Sequence, residues 1–410
     1  MTDGGVLLQE THSIIITARR LFDGLGLAVV EDAAVVIRGD RIHWVGTAAD
    51  VPEEPTEQRI ELGDVTLLPG LIDMHNHLRI IHGQGNLPQQ MRDPDVPYVL
   101  HALRHLEMNL RAGVTAMKTN GDRAFIDVQM REAIRSGLAR GPRLFVAGKG
   151  IKSSGCTGGV VATAICDGPD AIRQAVRENV EAGVDFIKIF ATGTILGPRE
   201  EVLRPSYCSE EIQAAAEAAH AANRLIVAHC HGGPAADACI QAGVDILEHG
   251  SLLSHDQLEE MAERGTWLCV TLAVWMHPHG DMAERLKRPL AAEIHRRIDE
   301  IQAAMAEAIR AGVRIVVGTD AVHGALAFEV QALERLGASR AEALRAATSQ
   351  AGAALGCLGE LGVIRPGAFA DLIAVQGNPL TSLHSLNRVI WVMQRGQVRW
   401  SVTQDPTAAE

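Results

Sequence analysis

A chain of 410 residues with 47% hydrophobic residues is long enough for one large α/β domain and a smaller partner. Its formal net charge of -12 and its lack of any Lys/Arg-rich run argue against a nucleic-acid or anionic-membrane surface, since either needs a basic patch. Seven scattered cysteines without a Cys-x-x-Cys pair fit reduced thiols and no disulfide framework.

Met1 to Gly5 show no basic stretch leading into an apolar one, and no run reaches the ~18 apolar residues of a membrane span, so the expected location is the cytoplasm. Short β-rich runs follow at Ser13–Ala18, Ala33–Arg38 and Arg41–Gly46, with Gly39-Asp40 as a two-residue hairpin between the last two. The far end has the same texture at Asp371–Val375, Val389–Gln394 and Gln397–Trp400. If the two ends share a sheet, residues 1–66 and 359–410 make a small composite β-sandwich, and 67–358 are inserted into it.

The inserted part alternates strand and helix. Val65–Leu68 and Leu71–Met74 flank the break at Pro69-Gly70, and the strands Val114–Lys118, Arg143–Ala147, Asp185–Phe190, Leu225–His229, Val244–His249, Trp267–Thr271 and Val313–Asp320 follow. Helical stretches precede each of the later strands, and a long one runs from about Phe328 to Leu355. Several helices stop at Ala-Gly, as at Ala112-Gly113 and Ala182-Gly183, the left-handed glycine stop. Eight strands alternating with helices predict an α/β fold of the (β/α)8 TIM-barrel type.

In such a barrel chemistry sits at the C-terminal ends of the strands. His75 and His77 end the first strand, where the two-residue period sends both imidazoles to one side. Lys188 lies in the fourth strand, His229 ends the fifth with His231 just beyond, His249 ends the sixth and Asp320 the eighth. Each has an ordinary structural alternative, such as a core histidine or a helix cap, but their joint placement at five strand ends favours a site. Six donors are too many for a structural tetrahedral zinc, and imidazole mixed with hard oxygen suits two divalent cations. Lys188, between Ile187 and Ile189, cannot ligate as an ammonium; it is either a base with a depressed pKa or converted to an anionic ligand such as a carbamate.

Pro69-Gly70-Leu71-Ile72-Asp73-Met74-His75-Asn76-His77 is similar to the first-strand signature of the amidohydrolase superfamily, and Phe186-Ile187-Lys188-Ile189 to its carbamylated-lysine strand. Val227–Gly232, Ile246–Gly250 and Val317–Ala321 resemble the remaining segments, so the likeness covers nearly the whole chain. It implies that His75, His77 and Asp320 hold the more buried metal, that His229 and His249 hold the more exposed one, and that carbamylated Lys188 bridges them. Zn, Co or Mn would fit such a site. Asp167–Asp170 through Lys188 to Gly193 looks most like the Xaa-Pro dipeptidase (prolidase-like) branch, which includes N-acyl amino acid carboxypeptidases and ochratoxin-hydrolysing amidases.

That branch carries a histidine after Thr-Gly-Gly, whereas here Thr157-Gly158-Gly159 runs into Val160-Val161, which favours a less polar acyl or aryl group beside Val160. Arg199 and Arg204 either bind a substrate carboxylate bidentately or are solvated loop residues. His323 and His231 are expected to support the ligands or polarise a carbonyl, and His277 and His279 to line the pocket or sit on a lid. The resemblance implies a metal-dependent hydrolase that cleaves an amide-type C–N bond with a metal-activated hydroxide. Asp320 would act as proton carrier and His231 would hold the oxyanion, on an N-acyl amino acid, an Xaa-Pro dipeptide or an aryl amide or carbamate. Self-association into a homo-oligomer around a small-molecule substrate is also expected. The alternative is a mononuclear deaminase or cyclic amide hydrolase on the same fold, but no carboxylate follows His229 in Cys230-His231-Gly232 to serve as a deaminase shuttle. A scaffold protein without metal would be expected to have lost donors, and all six are present.

Overall fold

The runs of β-branched residues near the start of the chain do form strands: Ser13–Leu21 (β1), Val30–Arg38 (β2), Arg41–Thr47 (β3), Glu57–Glu61 (β4) and Val65–Pro69 (β5). The structure, a computed structural model, describes residues 13–26, 28–53, 57–82, 87–156, 162–193, 202–280 and 291–403. Ten strands follow in the middle of the chain: Leu71–Asn76 (β6), Val114–Thr119 (β7), Arg143–Val146 (β8), Gly150–Lys152 (β9), Ala162–Ile165 (β10), Phe186–Phe190 (β11), Leu225–Cys230 (β12), Ile246–His249 (β13), Trp267–Val270 (β14) and Arg314–Val317 (β15). Leu372–Gln376 (β16), Val389–Gln394 (β17) and Gln397–Ser401 (β18) complete the set.

The two chain ends meet. One sheet runs β18-β17-β16-β5-β1-β2-β3, with β4 also paired to β1, so strands from both chain ends share one hydrogen-bonded sheet. Its join is the antiparallel ladder that pairs Val65–Pro69 with Leu372–Gln376. Gly39, at φ +61°, and Asp40 turn β2 into β3 as the hairpin signal predicts. Ile16, Val35, Ile37, Leu67, Leu372 and Met393 are buried together in one apolar cluster of this sheet.

The eight strands expected to close one barrel fall into two parallel sheets, β6-β7-β8 and β10-β9-β11-β12-β13-β14-β15. Continuous pairing fails at two seams, and each has a local cause. Between β15 and β6, Gly318 presses against His75 so closely that an added Cβ would lie 2.4 Å from the His75 backbone nitrogen. A backbone-to-backbone bond, from Asp320 N–H to His75 O at 2.8 Å, crosses there. After β8 the left-handed Gly148 (φ +65°) turns the chain into the unpredicted β9, which pairs with β11 in place of β8; across the β8 seam Asp185 N–H donates to Val146 O at 2.8 Å and Val146 N–H to Asp185 Oδ2 at 2.9 Å. All eight strands nevertheless surround a shared interior. Ile72, Met74, Ala116, Phe186, Val227, Ile246, Cys269 and Val316, together with Ala147 just past β8, form one buried cluster. This places the C-terminal ends of the parallel strands at one face.

The long helix expected from about Phe328 to Leu355 is three: Leu326–Arg335, Arg340–Ala346 and Ser349–Ala354. Gly337 at φ +110° ends the first. Ser339 then caps the second, its hydroxyl accepting from Glu342 N–H while the Glu342 carboxylate accepts from Ser339 N–H. No disulfide joins the cysteines among the described residues. No helix among the described residues is long and apolar enough to cross a membrane.

Candidate metal centre

His75 and His77 leave β6 on the same side, and Asp320 follows β15, whose turn is anchored to the His75 carbonyl. The Nε2 atoms of the two histidines lie 3.3 Å apart, and each is 3.3 Å from Asp320 Oδ1. A point equidistant from three donors on such a triangle lies about 1.9 Å from each, close to the ~2.0–2.1 Å of a zinc–nitrogen bond. Asp320 (φ +47°) and His249 (φ +71°) adopt the left-handed conformation without being glycine. Strain of about 1–3 kcal/mol per such residue persists where the surroundings fix a functional side chain.

Asp73, fully buried under this triangle, fixes it. Its Oδ1 accepts from His75 N–H (3.1 Å) and Thr319 N–H (3.0 Å), and its Oδ2 accepts from the Thr319 hydroxyl (2.7 Å) and Asn76 Nδ2 (2.8 Å). Burial raises its carboxyl to about 6 against these four bonds. The sequence motif contained Asp73 but gave it no role.

The other histidines stand beside this group. The rings of His229 and His249 are 4.5 Å apart between centroids, those of His231 and His249 5.0 Å, and those of His75 and His249 4.9 Å. His249 Nδ1 meets the Thr271 hydroxyl at 2.8 Å, which leaves Nε2 for a cation. His229 Nε2 donates to Gly193 O at 3.1 Å, and His231 Nδ1 pairs with the Ser251 hydroxyl at 3.2 Å, while His231 Nε2 is buried without a hydrogen bond. Burial, reinforced by the crowding of like groups, holds His75, His231 and His249 well below the usual imidazole value and His229 at about 4. All four are therefore neutral at physiological pH, as metal ligands must be. Burial alone would raise the Asp320 carboxyl, but its contact with His75 and the hydrogen bonds of His75 and His77 outweigh it and hold the group well below the carboxylate range.

Lys188 is 1% exposed and its Nζ is in contact with Glu248 Oε2. The other Glu248 oxygen accepts from Lys118 Nζ at 2.5 Å, and Lys118 also donates to Asn120 Oδ1 at 2.7 Å. Burial and the Lys118 charge push the Lys188 amine well below its usual value against the opposing Asp320 charge, and burial lowers Lys118 to about 7 against Cys269 and Asp73. Glu248 also stands 3.2 Å from His75 Nδ1, so His75, Glu248 and His249 form a second group of donors close enough for one cation. Sequence reasoning gave Lys118 and Glu248 no role, although Lys118 carries the signal that drew attention to Lys188, an amine at the apolar end of a parallel strand.

The remaining candidates are spread more widely. His323 has both ring nitrogens engaged: Nε2 donates to Ile80 O at 2.9 Å and Nδ1 accepts from Asn109 Nδ2 at 3.2 Å. Its ring stacks on His105 at 3.9 Å, so it braces the ligand loop and offers no free nitrogen to a substrate in this arrangement. Arg204 is exposed and lines a cavity of ≈ 250 Å³ with Gly193, the residue bonded to His229. His277 packs edge-on against Phe328 at 5.1 Å. Val160 and Arg199 lie outside the described residues.

Residues 66–399 match the Amidohydrolase family over most of the chain. The chain belongs to the amidohydrolase family. Among amidohydrolases, ochratoxinase from Aspergillus niger is 29% identical over 408 residues, covering 92% of this chain and 83% of that protein. Solved structures agree. A Xaa-Pro dipeptidase with methionine bound in its active site superposes with a TM-score of 0.85 at 28% identity, covering 94% of this chain and 99% of that one. The A. niger ochratoxinase crystal structure gives 0.84 at 28% identity, covering 95% and 96%. This amidohydrolase therefore sits in the prolidase-like and ochratoxinase branch that its motifs resemble.

Proposed function

We propose that the chain is a metal-dependent hydrolase of a small-molecule amide-type C–N bond, most at home with an N-acyl amino acid or aryl amide that ends in a carboxylate. The triangle of His75 Nε2, His77 Nε2 and Asp320 Oδ1, with 3.3 Å edges, carries this reading, because three neutral or anionic donors at that spacing suit one divalent cation. His229 and His249 would hold a second cation, and carbamylated Lys188 would join the two. When bound, such ions acidify a water molecule and polarise a carbonyl oxygen.

The chain's own groups divide the rest of the work. Carbamate formation needs the neutral amine, which burial and Lys118 favour at Lys188. Asp320 is anionic at neutral pH and placed against both His75 and His77, where it takes a proton and returns it to the leaving nitrogen. His231 offers its unpartnered Nε2 to the oxygen that gains charge as the carbonyl is attacked. Arg204, next to Gly193 at the edge of the ≈ 250 Å³ cavity, is the described cation suited to a substrate carboxylate. The Val160 position favours an apolar acyl or aryl group over a Xaa-Pro dipeptide.

A panel of N-acyl amino acids, Xaa-Pro dipeptides and aryl amides tests this, run on untreated, chelator-treated and metal-restored enzyme. The expected result is turnover of carboxylate-bearing amides that chelation removes and metal restores, and that Asp320→Asn lowers by ~10²-fold or more. Turnover that survives both the chelator and the substitution would overturn the reading.

A further inference from the structure

A second cavity, of ≈ 710 Å³, lies away from the histidines, between the helix Ile126–Arg135, the start of β8, and the turns that join β2 to β3 and β17 to β18. Arg143, the first residue of β8, forms part of its wall, so it opens at the N-terminal ends of the parallel strands, the face opposite His75, His249 and Asp320. Its walls come close together: a Cβ on Gly396 would lie 2.1 Å from Gly39 O, so the two turns are in direct contact.

Five arginines line it, Arg131, Arg135, Arg143, Arg395 and Arg399, against one carboxylate, Asp40, among the described lining residues. In a chain of net charge -12 this is a local reversal of sign. Four of the five are matched by acids: Arg131 by Asp185 (2.7 Å) and Glu132 (2.9 Å), Arg135 by Glu132 (3.1 Å), Arg143 by Asp371 (3.3 Å) and Arg395 by Asp40 (3.1 Å). Arg399 is not. Half-buried, it makes no ion pair among the described residues, and its Nε is buried without a hydrogen bond, as is the Nε of Arg143. Burial and the neighbouring charges of Arg140 and Arg395 lower the Arg399 guanidinium, and only Asp371 opposes them. A guanidinium without an acid partner, lining a common space with other arginines, suits an anion that can accept several hydrogen bonds at once.

We propose that this cavity binds a small multivalent anion, phosphate- or carboxylate-bearing, held by Arg399 together with Arg143 and Arg395. The volume lies within the ~300–1,000 Å³ of ligand pockets. The ligand would bridge β8 and the helix Ile126–Arg135 to β17 and β18, and so fasten the sheet of the chain ends to the parallel strands. Binding to the folded form alone raises the melting temperature.

The test is isothermal titration of the metal-loaded enzyme with pyrophosphate and with citrate, on wild type, R399Q and R135Q, with thermal unfolding in parallel. Arg135 is exposed, so R135Q keeps the fold even if R399Q does not. The expected result is that one of the anions binds wild type and raises its melting temperature, that added salt weakens binding, and that R399Q weakens it ~10-fold or more, with a smaller loss in R135Q. Tighter binding of pyrophosphate identifies a phosphate ligand, and tighter binding of citrate a polycarboxylate. Failure of both anions to bind overturns the proposal. So does binding that both variants retain, or binding that a chelator abolishes and R399Q leaves intact, which would locate the anion at the histidines.

Discussion

Asp73 shows how the centre is held at the scale of single residues. Two of its four bonds go to Thr319, next to Asp320, and one goes to the His75 amide, so one carboxylate sets the positions of donors 245 residues apart in sequence. Asp73→Ala is expected to weaken metal affinity ~10–100-fold, the range for groups that orient ligands. Titration with a competing chelator measures this, and unchanged affinity would remove Asp73 from that role. The histidines were legible because strand ends can be read from alternation and from Gly stops, and side chains at those ends share a face. Lys118 and Glu248 were not, because their meaning lies in each other: Glu248 takes one lysine 130 residues away and another 60 away, and the register that brings β7, β11 and β13 together is not written in any one segment.

At the scale of elements, Tyr98 on the helix Asp95–Arg111 donates its hydroxyl to Asp122, just past β7, at 2.5 Å, pinning helix to strand. Burial first, and then the Asp127 charge, raise the Asp122 carboxyl to about 8. The folded protein thus keeps a proton that the unfolded chain releases near pH 4, so stability is greatest at low pH and falls as pH rises toward 8. Denaturant unfolding at pH 5 and pH 8 should show a loss in wild type that is smaller in Asp122→Asn, which keeps an acceptor for Tyr98; equal losses would contradict this. Element order was legible for the eight parallel strands, whose apolar runs are bounded by glycine. The seams were not, since they depend on Gly318 meeting His75 and on β9 taking the place of β8 beside β11. The long C-terminal helix was misread because its pattern stays apolar across Gly337 and Ser339, where a stop and a new cap divide it.

For the molecule as a whole, the joining of the chain ends turns a sequence without a basic run into a surface with an arginine-lined cavity. Arg131, Arg135 and Arg143 come from the inserted part and Arg395 and Arg399 from the last strands, so composition alone points away from what the fold assembles. The same fold gathers neutral imidazoles, an anionic Asp320 and two lysines of lowered pKa at the opposite face. The most direct test of that centre is the metal content of the protein purified with bicarbonate present, determined together with the mass of the Lys188 peptide under conditions that preserve a carbamate. About two divalent ions per chain and a carbamylated Lys188 are expected. A single ion with an unmodified Lys188, or none, would contradict this.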